Sequence, residues 1–230
     1  MPSKSRAENR AEQTRAILDR ARAQLAEVGP AALSVRQIAR DVGMVSSAVY
    51  RYFPSRDELL TALIVEAYDE LGEAVEQADA GVRRRADLGR RFLAVCHAIH
   101  DWARANPHQY ALLYGSPVPG YVAPDTTVTS AGRISGAFLR LAQESESAGD
   151  VPAVTLPVSP KERKALDGVR PALDTPVSDD RTVRWLMAWS TVFGHTSLEL
   201  FGHMHRGILD YDAHFRQVTT QLAADLGISG

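Results

Sequence analysis

The feature that most constrains this chain is one glycine set between two short apolar-faced stretches. Residues 34–58 read SVRQIARDVGMVSSAVYRYFPSRDE. Ser34 can cap a helix, and Gln37 three residues later completes a capping-box pattern. Val35, Ile38, Ala39 and Val42 then recur at the spacing of one helical face. Gly43 gives the turn a backbone conformation that other residues adopt only at a cost. Val49 and Phe53 form the inward face of a second short helix, which Pro54 stops. Small Ala39 lets the two helices cross closely. A third helix carries its own start signal, Ser55 as N-cap with Glu58 closing a second capping box.

This pattern predicts a helix-turn-helix, whose second helix is offered to the DNA major groove. The residues left outside the apolar faces suit that use. After Val45, the short side chains of Ser46, Ser47 and Ala48 bring helix backbone close to base edges, and the two hydroxyls can donate or accept. Tyr50, Arg51, Tyr52 and Arg56 can reach phosphates. Ser34 and Arg36, at the head of the first short helix, complete the expected DNA-facing set. A three-helix packing unit without a nucleic-acid role is the plainer alternative. Glycine, small-residue and aromatic positions together favour the groove.

Over Val49-Tyr50-Arg51-Tyr52-Phe53-Pro54-Ser55-Arg56-Asp57-Glu58-Leu59-Leu60 the chain resembles the tetracycline-repressor-type (TetR) transcriptional regulators. Their signature joins a helix-turn-helix to a Tyr-x-Tyr-Phe-like end and a Ser-Lys-Glu-Leu-Leu-like helix start. The match covers residues 13–60. Val45 departs from it, standing where members usually carry Ser or Thr, which would pass the capping role to Ser46. Arg56 replaces the usual Lys, keeping the charge with a different hydrogen-bond geometry. The resemblance implies a DNA-binding domain over 13–60, joined by a long helix to a helical effector-binding and dimerisation domain over 61–230. It further implies a homodimeric repressor on a pseudo-palindromic duplex operator, released by a small molecule, with no cofactor and no enzymatic activity; an activator is a variant that no residue here excludes. The segment WSTVFGHTSLELFGHM also resembles a subgroup with a Trp-x-x-x-His-Gly-like motif, although Phe193 stands where His would be.

Charge distribution fits that division. The chain carries a formal charge of −2, which argues against indiscriminate nucleic-acid binding. Residues up to Arg56 carry +5 and the remainder −7, a basic head on an acidic body. Lys4, Arg6 and Arg10 suit a flexible arm that touches phosphate, and equally a solubilising terminus. The first twenty residues hold no apolar run of a secretory signal, so a cytoplasmic protein is expected. The run 185–204 lacks Lys and Arg but contains Glu199, His195 and His203, and reads as a buried helix rather than a membrane span.

Most of the chain reads as helix, and the expected class is all-α. Residues 13–28 carry a stripe of Leu18, Ala21, Leu25 and Val28 before Gly29-Pro30. Helices follow over 56–79, 83–105, 107–114 and 126–148, the last with Ile134, Phe138 and Leu141 inward. Gly149 to Asp180 is proline-rich with only a brief helical stretch around Lys161 to Val169, and a connection that long is a mobile surface loop or, less simply, a ligand gate. Two more helices are expected, Thr182 to about Arg206 and 210–227.

The first of these is apolar nearly all round, so it needs partners on more than one side. Leu200, Met204, Tyr211, Phe215, Val218 and Leu222 are the expected dimerisation residues, in an isologous four-helix arrangement that the resemblance favours over a monomeric core. An effector pocket is expected among Phe92, Cys96, Ile99, His100, Trp102, Tyr110, Leu113, Tyr114, Phe138, Trp189 and Phe193, an aromatic-rich set suited to a largely apolar ligand. Each of these taken singly suits ordinary core packing as well. The histidines are too dispersed to hold a metal, and Cys96 stands alone as a small buried hydrophobe. Glu144 and Glu146 read as solvated helix-end charges. Two other classes compete: a helical small-molecule-binding protein or enzyme with an incidental basic head, and a non-specific architectural DNA binder. The missing catalytic constellation counts against the first and the acidic body against the second.

Overall fold

A capping box opens the first helix: the Ser5 hydroxyl accepts the Glu8 N–H at 3.1 Å, and the Glu8 carboxylate accepts the Ser5 N–H at 2.7 Å. Helix α1 therefore runs Arg6–Val28, taking in Arg6 and Arg10, which are helical rather than part of a flexible arm. The computed structural model describes residues 5–152 and 154–228, so Lys4 lies outside it. Among those residues no strand forms, and the class is all-α. After α1 come α2 (Val35–Asp41), α3 (Ser46–Val49), α4 (Arg56–Gly81), α5 (Leu88–Ala105), α6 (Pro107–Tyr114), α7 (Thr126–Ala148), α8 (Pro160–Ala165), α9 (Asp179–Leu200) and α10 (Tyr211–Asp225).

By internal packing the chain divides into two compact units, residues 1–69 with 106–130, and 70–105 with 131–230. The core of the first gathers Ile17, Ala21 and Leu25 from α1, Val35, Ile38 and Ala39 from α2, Val49, Phe53, and Leu59, Leu60, Leu63 and Ile64 from α4. Leu112 of α6 is buried in the same cluster, and Leu113, Val118 and Tyr121 pack against it. The Tyr121 and Thr61 hydroxyls are 2.9 Å apart. Val28, expected on the inward stripe of α1, is exposed at the helix end, while Gln24 takes a buried place on that face.

The turn between α2 and α3 is built as the sequence requires. Gly43 has φ +70°, its N–H donates to the Arg40 carbonyl, and the Met44 N–H donates to the Ala39 carbonyl at 2.8 Å. This paired closure of a helix C-terminus needs the left-handed conformation at its glycine. The expected Ser34–Gln37 capping box is only half present. Ser34 Oγ accepts the Gln37 N–H at 3.4 Å, but the Ser34 N–H goes to Gln24, and the Gln37 amide instead donates to Asp41 at 2.7 Å.

The second unit is built around α5, which packs against α9 and α10. Phe92 stands edge-on to Phe138 and Trp185, with centroids 6.1 and 5.6 Å away. Ile134, Phe138 and Leu141 of α7 are buried as expected. Glu144 and Glu146 are not free helix-end charges. Arg91, with only 3% of its side chain exposed, holds Asp79 at 2.7 Å and Glu144 in one ionic cluster. Arg181 likewise holds Glu146 at 3.0 Å and donates to the Asp150 carbonyl. A buried guanidinium needs such partners, and the carboxylates follow it.

In the proline-rich segment, helix falls where a brief helical stretch is expected: Ser159 caps α8, and single 3-10 turns follow at Leu166–Gly168 and Arg170–Ala172, with Leu166 buried. The end of the next helix differs from expectation. Helix α9 ends at Leu200, not near Arg206. Gly202 has φ +78°, and the His203 N–H donates to the Leu198 carbonyl at 2.8 Å. That closure puts Met204 in the turn before α10. No described helix is long and apolar enough to cross a membrane.

Candidate DNA-binding face and apolar cavity

Helix α3 is a single turn, so which side chains it shows is decided by its one buried residue, Val49. With Val49 inward, Val45, Ser47, Tyr50 and Arg51 are exposed, and Ser46, Ala48 and Tyr52 are half-buried. Val45 is the N-cap, 70% exposed and without a side-chain cap bond. Ser46 is the first helical residue, so the capping role does not pass to it. Arg36 is exposed on α2 with Ser34 half-buried before it. Arg40, one turn after Arg36 and also exposed, joins that edge; its i,i+4 spacing was the signal for it.

Two arginines act on the frame of this face. The Arg10 guanidinium lies 5.1 Å from the Tyr52 ring centre and donates to the Arg51 carbonyl at 3.4 Å, linking α1 to the end of α3. Arg56 does not project outward as a phosphate ligand. Its guanidinium donates to the carbonyls of Leu33, Pro30 and Ala31 at 3.2, 2.7 and 3.1 Å, clasping the turn before α2. Arg20 draws Asp41 to α1 at 2.5 Å, and that hydrogen bond holds the Asp41 carboxyl below its ordinary range. The result is a preset surface of hydroxyl, aromatic and cationic groups on a one-turn helix.

In the second unit, an apolar cavity of about 220 Å³ is lined by Ser135, Phe138, Leu139, Val169, Ala172, Trp185, Leu186 and Trp189. Phe138 and Trp189 are the expected wall residues that reach it. Phe92, Cys96 and Ile99 are wholly buried core residues, and burial pushes the Cys96 thiol well up. Trp102 is half-buried, and Phe193 is buried with its ring 5.3 Å from that of Trp189. Tyr110, Leu113 and Tyr114 belong to the first compact unit, where Tyr114 meets Tyr68 edge-on. A second cleft of about 560 Å³ includes Arg84, Asp87, Arg90 and Asp150 among its walls.

His100 is engaged elsewhere: its Nε2 lies 2.7 Å from Glu199, and its ring stacks on Phe215 at 4.1 Å. His97 and His195 also face Phe215, and His214 lies 5.1 Å from His195. Among the described residues, no three His, Cys, Asp or Glu side chains converge as a metal site. Phe215, expected at a dimer interface, is wholly buried within its own protomer. Leu200, Met204, Tyr211, Val218 and Leu222 are half-buried. The outward face of α9 instead shows Met187, Thr191, Gly194 and Leu198 at alternating spacings of four and three, continued by exposed Phe201. A search for large apolar residues alone passes over such a stripe, because Thr and Gly occupy its middle.

Comparison with known proteins gives two family matches. Residues 17–63 match the family described as bacterial regulatory proteins, tetR family, and residues 92–222 match the tetracyclin repressor-like C-terminal domain. The chain is 40% identical over 216 residues to the HTH-type transcriptional regulator Rv1816 of Mycobacterium tuberculosis, covering 90% of this chain and 91% of the relative. The nucleoid occlusion factor SlmA of Haemophilus influenzae is 30% identical over 89 residues, 39% of each chain. Among solved structures, the regulatory protein SCO4313 superposes with a TM-score of 0.78 at 31% identity, covering 95% of this chain and 98% of its own. A Rhodococcus sp. RHA1 protein superposes with a TM-score of 0.70 at 26% identity, covering 93% and 95%.

Proposed function

The chain belongs to the tetR family of transcriptional regulators, and from that premise we propose that it is a homodimeric repressor released from its operator by a small, largely apolar effector. The observation that carries the reading is the α3 face. Ser46, Ser47 and Ala48 present short side chains beside Tyr50 and Arg51, while Val49 anchors the turn in a packed core. Short polar side chains allow base-edge hydrogen bonds at close backbone approach, and the flanking cations and phenol hold phosphates. Two such helices related by a dimer axis read two half-sites of a pseudo-palindrome. The exposed Met187–Phe201 stripe supports α9 as the contact between copies, and the apolar cavity supports an effector.

Regulation then follows as a population shift. An effector that binds the DNA-incompetent conformation better by about 1–3 kcal/mol lowers operator affinity roughly 5–150-fold. The test is fluorescence anisotropy against duplexes tiled from the intergenic region upstream of its own gene, at physiological salt with scrambled competitor. Selective binding at two chains per site, or a multiple of two, is expected. Tyr50→Phe should weaken all sites alike, and Ser47→Ala should alter sequence preference. Equal weak binding to every duplex tested genome-wide would overturn the reading.

A further inference from the structure

The 220 Å³ cavity differs from the larger cleft in having no Lys, Arg, His, Asp or Glu in its wall. Its polar side-chain groups are the Ser135 hydroxyl and the indole N–H groups of Trp185 and Trp189, and Trp185 Nε1 is buried without a hydrogen-bond partner. An ion placed there would lose hydration and meet no opposite charge, which disfavours charged ligands. Three of the eight lining side chains are the aromatic rings of Phe138, Trp185 and Trp189, which favour edge-on and offset contacts with another ring. A dry cavity of about 150 Å³ holds one benzene, so this volume suits a compact molecule of about ten to twelve heavy atoms, and most of a long acyl chain would be left in solvent.

The walls are unequal. Ser135, Phe138 and Leu139 stand on α7, and Trp185, Leu186 and Trp189 on α9, both long helices. Val169 and Ala172 stand instead on and beside a single 3-10 turn in the proline-rich segment. That turn is tied down at its surface. Arg170 pairs with Asp179 at 2.9 Å with both partners partly exposed, and the Gln143 amide oxygen accepts the Thr175 N–H at 2.6 Å. Such ties are weak and reversible.

We propose that this cavity, as the effector site of the regulator proposed above, takes an uncharged bicyclic aromatic molecule with at most one hydroxyl, and that the 166–173 segment is the wall that moves to admit it.

The probe is 1-naphthol, titrated calorimetrically into the full chain with no DNA present, beside 1-naphthoate and palmitate. One naphthol per chain is expected, with naphthoate and palmitate each at least about tenfold weaker. Ala172→Trp and Val169→Trp fill the cavity and should abolish binding, whereas Thr220→Trp in the larger cleft should leave it unchanged. A thermal melt confirms that at least one filled variant is folded. Arg170→Ala should raise both association and dissociation rates, followed by tryptophan fluorescence in stopped flow. No naphthol binding, binding that survives both filled variants, or naphthoate binding equally well would overturn the proposal. Because no DNA is used, these results are separate from the operator test: loss of one reading leaves the other standing.

Discussion

The side-chain oxygen of Gln24 accepts the backbone N–H of Ser34 at 2.6 Å. A buried amide on α1 thereby sets where α2 begins, ten residues away in sequence. Gln24 is 4% exposed and Ser34 is half-buried, so water reaches the donor only in part if the side chain is shortened. Gln24→Ala should lower stability by about 0.5–1.5 kcal/mol, the net contribution of a hydrogen bond whose donor is half-buried. Thermal melts followed by circular dichroism would measure it. An unchanged midpoint would show that the bond does not hold the head.

Arg56 and Arg36 should separate in a salt titration. Arg56 is spent on three carbonyls of the turn before α2, whereas Arg36 is exposed. Arg36→Ala should reduce the slope of log affinity against log salt by about one. Arg56→Ala should leave that slope intact, lower the melting temperature and weaken every site through the frame. A reduced slope in Arg56→Ala would return that residue to the phosphate-binding set.

The ring cluster about Phe215 predicts a pH dependence. Burial holds His195 and His97 below their ordinary value near 6.5, and His214 adds to the effect on His195. Both His195 ring nitrogens are buried without a hydrogen-bond partner. A depressed histidine is favoured neutral in the fold, so its contribution is complete above pH 6.5 and is lost as pH falls below it. His100, His214, Glu199, Asp101, Asp212 and Arg216 surround these rings and modulate the fall. Stability should be flat between about pH 7 and 8 and decline below about 6.5. His195→Phe should flatten that decline; an identical profile in the variant would remove His195 as its source.

Arg91→Met tests the buried ionic cluster. Removing one member of a buried pair typically costs about 3–5 kcal/mol. Glu144 is 45% exposed and can be rehydrated, so a loss nearer 2–3 kcal/mol is expected, read by urea unfolding. A loss below about 1 kcal/mol would mean that the guanidinium contributes little beyond its own desolvation.

Thr191 and Leu198 lie one heptad apart on the exposed stripe of α9. Arginine at either, and at both together, places like charges across a two-fold contact. Sedimentation velocity should then show monomers, with operator affinity falling in parallel. A dimer of undiminished stability in Thr191→Arg/Leu198→Arg would move the interface off this face.

Local chemistry made the head legible. Gly43, Val49 and the apolar stripe of α2 lie in one short stretch, and each acts on its near neighbours. The exposure of Ser47, Tyr50 and Arg51 follows from the same short stretch, whereas the carbonyl partners of Arg56 lie more than twenty residues earlier. The end of α9 was hidden because Phe201 and Met204 continue the apolar pattern past Leu200, and the chain-closing Gly202 looks like any helical glycine. The cavity was hidden more deeply. Val169 and Ala172 carry no periodic signal, and Tyr110 and Tyr114 resemble pocket walls in composition while belonging to the other compact unit.

The place of Leu112 in the first core has a consequence for how such genes can be recombined. A splice at residue 60 would transplant the recognition surface but leave behind α6, which completes the cluster beneath it. The transplanted piece would then present bare leucine and tyrosine contacts to whatever body it joined. The helix-turn-helix head of this chain is therefore not a cassette at the N-terminus. It is inherited together with a segment encoded some fifty codons downstream of that splice, and grafts that respect both pieces are the ones that should fold.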